Sequence, residues 1–404
     1  MVFPFTSITD YEIGLSEELE LFRQSVRDFV DKELEPIAVK VVKEGVIPED
    51  LYRKAVELGY TGIGIPEEFD GQGGGSMYLV ILMEEISRVL PAFGTGLLVN
   101  GLFTYPVLAF GTEEQKKRYI PPVARGEKFA AHANTEPAAG SDVAGIQTTA
   151  RKEGDMYILN GRKIFITGAD KADYFVVSAR TNPPPEERRR RWWGISLFIV
   201  ERDWPGVEVG SRFNVMGLDG EHPSEVILDN VEVPEENLIP PENEGFKMLV
   251  ATYDHSRVGI AAQAVGIAQG AFEKAFNYSL QRTAFGRQII SFQGVSFKLA
   301  DMLTLLQTAR LLTYWAATLA DKGREEYVFA ASMAKTYATE VAEKVSTWAI
   351  KVHGGVGVDK ETGVEHFLRD SIITTIYEGT NDIQRLTTIR QLLKKSFGID
   401  VLSL

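Results

Sequence analysis

The sequence predicts an α+β protein, mostly α, in three parts: a helical N-terminal domain over residues 1–128, a middle β-domain over 129–244 and a C-terminal helical bundle over 245–404. Three observations carry this. Apolar residues recur at helical spacing between Ser16 and Pro91. Short β-branched and aromatic runs, separated by Gly, Pro, Asp and Asn, fill residues 156–228. After about Gly245, long alanine-rich stripes return that suit antiparallel bundle packing. Helices at both ends with strands between them argue for segregated α+β, not alternating βαβ units, which disfavours a Rossmann nucleotide fold.

Each element has its own signal. Ser16 before Glu17 and Glu18 reads as a capped helix start, and Leu21, Phe22, Val26, Phe29 and Val30 follow at helical spacing up to Pro36. A second periodic run covers residues 48–58 and stops at Gly59; a third covers 76–89 and stops at Pro91. Between them, Gly71-Gln72-Gly73-Gly74-Gly75 lacks the GK[ST] ending of a phosphate loop and is expected to be a flexible turn. In the middle domain, apolar runs on either side of Asn160-Gly161 predict a hairpin turning there. Further strands are expected at 174–179, 195–200, 207–209 and 225–228, and long helices at 258–280, 295–320, 325–352 and 383–393. The stretch 183–193 interrupts the strands with three prolines, four arginines (Arg188 to Arg191) and Trp192-Trp193. It reads as an exposed loop, either a hairpin tip whose tryptophans pack on a neighbouring surface or a basic contact for an anion or nucleic-acid strand.

Composition narrows the function. The 404 residues are 44% hydrophobic and 25% charged, close to the average for globular proteins. Fifty-six acidic residues against forty-three basic ones give a net charge of −13, which opposes general nucleic-acid binding. Without cysteine there is no disulfide framework, thiolate nucleophile, CxxC zinc site or Cys-ligated cluster. The N-terminus has no basic start followed by an apolar core, and no run reaches about 18 uninterrupted apolar residues, so a soluble, cytoplasmic protein without membrane insertion is expected. The five histidines, His132, His222, His255, His353 and His366, show no HExxH spacing, so no metal site is expected, and GxSxG is absent.

What remains is Asn134-Thr135-Glu136-Pro137-Ala138-Ala139-Gly140-Ser141-Asp142. Small residues allow backbone approach, Gly140 can take unusual dihedrals, and Thr135 and Ser141 offer hydroxyls to carbonyl or phosphate oxygens. Taken alone, the segment fits an ordinary capped turn equally well. Its companions are Lys163-Ile164-Phe165-Ile166-Thr167, Arg282-Thr283-Ala284-Phe285-Gly286, His353-Gly354-Gly355-Val356-Gly357 running on to Arg369-Asp370, and Ile376-Tyr377-Glu378-Gly379-Thr380-Asn381-Asp382-Ile383-Gln384. Together, and in this order over nearly the whole chain, they resemble the signatures of the FAD-dependent acyl-CoA dehydrogenase family.

The resemblance implies a C-terminal four-helix bundle, FAD held between it and the β-domain, and a homotetramer built as a dimer of dimers. It implies an oxidoreductase of fatty-acid β-oxidation that converts acyl-CoA to trans-2-enoyl-CoA. Glu378 would abstract the α-proton while the β-hydride passes to flavin N5, with electrons going on to an electron-transfer flavoprotein. The developing enolate would be met by the amide of Glu378 and a flavin hydroxyl. FAD contacts would come from His132, Asn134, Thr135, Ser141, Phe165, Thr167, Lys351, Gly354, Thr380 and Asp382, and a neighbouring subunit's FAD would meet Arg282, Phe285, Gln293 and Gly355. Substrate contacts would come from Ser141, Asp254, Arg257, Gly379 and Arg390. Two of these have plainer readings: Asp254 as an N-cap carboxylate at its helix start, and Glu378 as a cap or ion pair near Thr380.

The chain departs from the family pattern at four positions. Phe165 stands where tryptophan is common, Lys351 where glutamine opens the second signature, His366 where Lys or Arg is usual, and Asp382 where glutamine is frequent. Some relatives carry the base at the position of Ser256, which here has no carboxylate, and this favours Glu378. Two alternatives share the scaffold: an acyl-CoA oxidase that uses O2, and a flavin-containing nucleic-acid-binding relative contacting its ligand through Arg188 to Arg191.

Overall fold

A computed structural model describes residues 15–187 and 190–399. The N-terminal start up to residue 14, and Arg188 and Arg189 of the basic loop, lie outside the described residues.

The first helices are α1 (Glu17–Phe29), α2 (Ala38–Glu44), α3 (Glu49–Glu57), α4 (Ser76–Ser87), α5 (Pro91–Phe110) and α6 (Glu113–Ala124). Ser16 caps α1 by accepting from the amide of Leu19 at 3.3 Å, and Thr112 and Gln115 form a capping box on α6. Helices α2, α5 and α6 carry no periodic signal that predicts them. For α5 the cause is plain: it is apolar nearly all round, because it runs through the core. By length and composition α5 could cross a membrane, yet 67% of its most apolar window is buried inside the protein. The glycine turn is pinned, not slack: Gly64 donates to the carbonyl of Gly73 and Gly73 to that of Ile65, both at 2.8 Å.

The β-domain is one eight-stranded sheet of β1 (Ala130–Ala133), β2 (Thr149–Glu153), β3 (Met156–Ile166), β4 (Tyr174–Arg180), β5 (Ile195–Glu201), β6 (Val207–Arg212), β7 (Ser224–Pro234) and β8 (Leu238–Ile239). The order is β6-β7-β3-β2-β4-β5-β8, with β1 parallel to β4. The hairpin expected at Asn160-Gly161 is not there. The chain turns at Gly154, and β3 runs straight through Asn160-Gly161 with a register shift against β7. A Cβ on Gly161 would stand 2.2 Å from Thr148 Oγ1, so the glycine serves close strand approach at a bulge. The asparagine reaches across to accept from the amide of Asn230 at 2.9 Å.

The C-terminal part contains α7 (Gly245–Gln281), a small hairpin of β9 (Thr283–Ala284) and β10 (Arg287–Gln288), then α8 (Gln293–Asp321), α9 (Tyr327–His353), α10 (His366–Thr374) and α11 (Asn381–Phe397). Buried alanines such as Ala264, Ala268 and Ala271 on α7 and Ala334, Ala338 and Ala342 on α9 let the bundle pack closely. Helix α7 also crosses α4 at backbone distance: a Cβ on Gly266 would come within 2.3 Å of the carbonyl of Glu84. Buried and half-buried ion pairs tie the parts together. Arg27 of α1 meets Glu85 of α4 at 2.8 Å, Arg310 of α8 meets Glu84 at 2.9 Å, and Arg369 meets Asp219 of the β-domain at 2.5 Å. These contacts bring α4, α5, the start of α7 and the turn before α11 around one space.

Candidate active site

That space is a cavity of about 400 Å³ between α4, α5 and the start of α7, with apolar walls that include Leu79, Leu82, Met83, Leu97 and Leu98. Ser256 of α7 lines it and donates at 2.6 Å to Oε2 of Glu378. Burial pushes the Glu378 carboxyl above its ordinary range, opposed by the Ser256 hydrogen bond and by Arg257 and Lys335. Glu378 caps no helix. The cap of α11 is Thr380, whose hydroxyl accepts from the amide of Ile383.

The turn carrying Glu378 is gripped from several sides. Glu378 has φ +55° and Gly379 φ +90°, a left-handed pair that is unfavourable for the glutamate. Gln384 donates to the carbonyls of Glu378 and Gly379 at 3.3 and 3.1 Å, and Lys335 of α9 donates to Gly379 O at 2.9 Å. The hydroxyl of Tyr377 donates to Gln263, which in turn donates to Thr95 at 2.7 Å. Among the described residues, the amide of Glu378 donates to no other group.

Asp254 lies within α7, nine residues after its first residue, so it is no N-cap; it pairs with Arg257 one turn on. The Nε atoms of Arg257 and of Arg390 on α11 are both buried with no acceptor. Two orphaned guanidinium N–H groups suit an anionic or carbonyl-rich ligand.

The residues expected at the flavin lie in the β-domain, next to Tyr253 of α7. Lys163 is fully buried and donates to Glu136 at 2.7 Å, Ser178 at 3.1 Å and the carbonyl of Asn134 at 3.2 Å. Burial draws Lys163 down to about 8, opposed by Glu136. The amide of Ile164 donates to Thr135 O at 2.8 Å, which lays the Asn134–Thr135 segment along β3. Asn134 is itself 3% exposed, with Oδ1 accepting from Ser178, so its side chain braces the sheet instead of facing a cofactor. His132 meets the hydroxyl of Tyr253 at 3.1 Å, and its Nδ1 is buried without a partner. Burial, with Lys163 nearby, takes this imidazole down to about 4, so it is neutral at physiological pH. Phe165, at φ +55°, leaves half its surface exposed and leans on Phe213 with ring centroids 4.3 Å apart. Thr135 and Thr167 are half-buried, and Ser141 is exposed on a turn where a Cβ at Gly140 would meet nothing within 4 Å. An exposed aromatic face, an orphan imidazole nitrogen and an open glycine turn fit a large planar cofactor with a polar edge.

The remaining residues are not brought to this place. Arg282, Phe285 and Gln293 sit beyond the far end of α7, and Phe285 is 95% exposed. Arg257 and Arg282 are separated by twenty-five residues, about 38 Å along the axis at a rise of ~1.5 Å per residue. Exposed Lys351, Gly354 and Gly355 share that far end, since Tyr278 stacks on His353 at 4.4 Å. Asp382 is exposed in the first turn of α11, near Arg385. His366 pairs with Asp370 at 2.9 Å inside the fold. In the basic loop, Arg191 pairs with Asp142 and Trp192 stacks on Phe246, so it packs as a hairpin tip.

Three family models match the chain in order: the acyl-CoA dehydrogenase N-terminal domain at residues 16–127, the middle domain at 131–231 and the C-terminal domain at 243–393. The chain belongs to the acyl-CoA dehydrogenase family. Members are FAD-dependent flavoproteins, so the cofactor is FAD, and the protein is an oxidoreductase acting on acyl-CoA. It is 44% identical to an acyl-CoA dehydrogenase of Bacillus subtilis, over 94% of this chain and 99% of that one. It is 42% identical to the caffeyl-CoA reductase–Etf complex subunit CarC of Acetobacterium woodii, over 94% and 99%. The solved structure of butyryl-CoA dehydrogenase from Megasphaera elsdenii superposes with a TM-score of 0.91 at 36% identity, covering 95% of this chain and all of that one.

Within this family site, sequence reasoning missed Lys335, Gln384, Tyr253 and the Lys163–Glu136 pair. Lys335 left one trace, a lone cation in the buried stripe of Ala331, Ala334, Ala338 and Thr339.

Proposed function

We propose that the protein catalyses α,β-dehydrogenation of acyl-CoA thioesters with Glu378 as the base. The observation that carries this reading is a half-buried carboxylate, fixed in a left-handed turn and hydrogen-bonded to a residue that lines the apolar cavity. The cavity takes the acyl chain. Bound FAD supplies the acceptor for the β-hydride. Thr135, Thr167 and Phe165 would hold it at the edge and face of its ring, with His132 in reserve as a hydrogen-bond partner.

A proton next to a thioester is weakly acidic, so the site must favour the charge that develops on the carbonyl oxygen. The unpaired amide of Glu378 is positioned to donate to that oxygen. Burial raises the proton affinity of the carboxylate and makes it a better acceptor near neutral pH, while Ser256 keeps it oriented. Arg257 and Arg390, with Nε atoms lacking acceptors, would meet the CoA portion, and the exposed Ser141 the pantetheine or phosphate part.

The same groups run the reaction backwards as a reductase, with Glu378 returning the proton. The reductase named among the relatives favours keeping that direction open. Direction would be set by the electron partner, which we take to be an electron-transfer flavoprotein, as the name of that relative's complex suggests. The span of about 38 Å along α7 from Arg257 to Arg282 supports an oligomer in which the far end of each bundle serves another subunit's cofactor, and we propose a tetramer.

Anaerobic titration of the holoenzyme with acyl-CoAs of increasing length tests the reading: flavin absorbance should bleach. Glu378→Gln should bind the ligand and not bleach. Full-rate reduction by that variant would remove Glu378 from the mechanism.

A further inference from the structure

Against the catalytic turn stands a lysine that the reaction as described leaves unused. Lys335 lies in the middle of α9 and is fully buried. Lysine is seldom buried so completely unless its charge is paired, and the two acceptors of Lys335 are both neutral: Gly379 O at 2.9 Å and Asn381 Oδ1 at 3.0 Å. Asn381 is itself held by Thr339, which it meets at 2.9 Å. The ammonium thus grips the peptide that follows the base, at a turn where the left-handed Glu378 needs outside restraint.

Resting on the reading that Glu378 is the base, we propose that Lys335 is a positioning residue for the reaction: it holds the Glu378–Gly379 turn through the carbonyl of Gly379, and its charge backs the Glu378 carboxylate. The charged groups around it are Glu378 on the turn, Arg257 and Asp254 on α7, Glu340 on α9 and Arg385 on α11, the last paired with Glu340. Burial takes Lys335 down to about 7, and the largest opposing influence is Glu378. In return, Lys335 is one of three groups that lower the proton affinity of Glu378, after Ser256 and Arg257. Each therefore favours the ionised form of the other. Removing the cation should leave Glu378 protonated up to a higher pH.

The test is flavin reduction by acyl-CoA, followed against pH in rapid mixing, for wild-type holoenzyme and for Glu378→Gln, Lys335→Gln and Lys335→Arg. For Lys335→Gln the acid limb should move up by about one pH unit. Its limiting rate should fall by about tenfold to a hundredfold with little change in apparent ligand affinity, as expected for a misplaced base. Lys335→Arg should return the limb to its wild-type position. A Lys335→Gln enzyme with the wild-type limb and rate overturns the proposal. Should that variant not fold, Lys335→Arg decides alone: a limb that stays in place with a lowered rate supports the role, and a limb that moves overturns it. Wild-type protein that no acyl-CoA bleaches, or Glu378→Gln reducing at full rate, would instead defeat the proposed function itself.

Discussion

Of the seven non-glycine residues with positive φ among the described residues, three are Phe165, Phe285 and Glu378, all of them residues the motifs single out. A bulky side chain in the left-handed region costs free energy, so it persists where the surrounding contacts over-determine it. Glu378 carries a second cost, since burial disfavours its charge. A carboxyl whose pKa is raised by folding stabilises the native state below its unfolded pKa and loses that contribution as pH rises through the folded value. Glu378→Gln should therefore raise Tm at neutral pH while kcat falls by about 10² to 10⁴; calorimetry and turnover assays on one preparation check both signs, and an unchanged or lower Tm would contradict the cost ascribed to burial. Ser256→Ala makes a complementary case. The hydroxyl favours the ionised carboxylate, so losing it should move the acid limb of kcat/KM to higher pH, with the rate at the upper plateau lowered by about tenfold or less. A limb that stays put would mean that the 2.6 Å contact orients the base without tuning it.

On the proposed function, helices α4 and α5, which wall the cavity, would decide which substrates fit. Gly101 on α5 lines the cavity, is exposed, and has nothing within 4 Å of where a Cβ would stand. Gly101→Leu should add side-chain volume there without a clash. Turnover of the longest acyl-CoAs accepted should drop by about tenfold, given roughly 1–3 kcal/mol for a methylene-scale misfit. Turnover of the shortest acyl-CoAs accepted should be largely unaffected, and Tm should hold or rise, since glycine in a helix costs up to about 1 kcal/mol. Equal losses for short and long substrates would place the acyl chain elsewhere. At this scale, the sequence revealed elements marked by a cap, a left-handed stop or an alanine-rich composition, and hid an all-apolar helix and a bulge. Ser16 and Gly59 bracket helices because caps and left-handed stops are local chemistry, and α7 to α9 show as alanine stripes. Helix α5 has no polar face to set a period, and Asn160-Gly161 looks like a turn until Thr148 and Asn230 are seen beside it. The base was legible as a motif, and Gln384 stands in that motif without its role being readable, whereas Ser256 and Lys335 act on the base across 122 and 43 residues of chain, and long-range contacts of that kind leave no spacing to read.

At the scale of the molecule, the length of α7 bears on the proposed assembly. A helix of 37 residues carries Asp254 and Arg257 near one end and delivers Arg282 and Phe285 beyond the other. No bending within one bundle closes a gap of about 38 Å from Arg257, so on the proposed function the far residues would serve a different cofactor or none. Their surroundings favour the first outcome: besides Phe285, the large apolar residues Phe297, Val356 and Val358 are 62%, 45% and 72% exposed, a dense display for that end of a bundle. If subunits meet there and reach each other's FAD, cofactor retention and assembly are linked, because a ligand that binds only the assembled state stabilises it by mass action. Phe285→Asp would put a charge into such a contact. The expected result is a protein of lower mass by light scattering that loses its absorbance near the flavin band on gel filtration, recovering both when concentrated with excess FAD. A Phe285→Asp protein that stays yellow and elutes at the parental mass would show that the far end of the bundle takes no part in holding the cofactor.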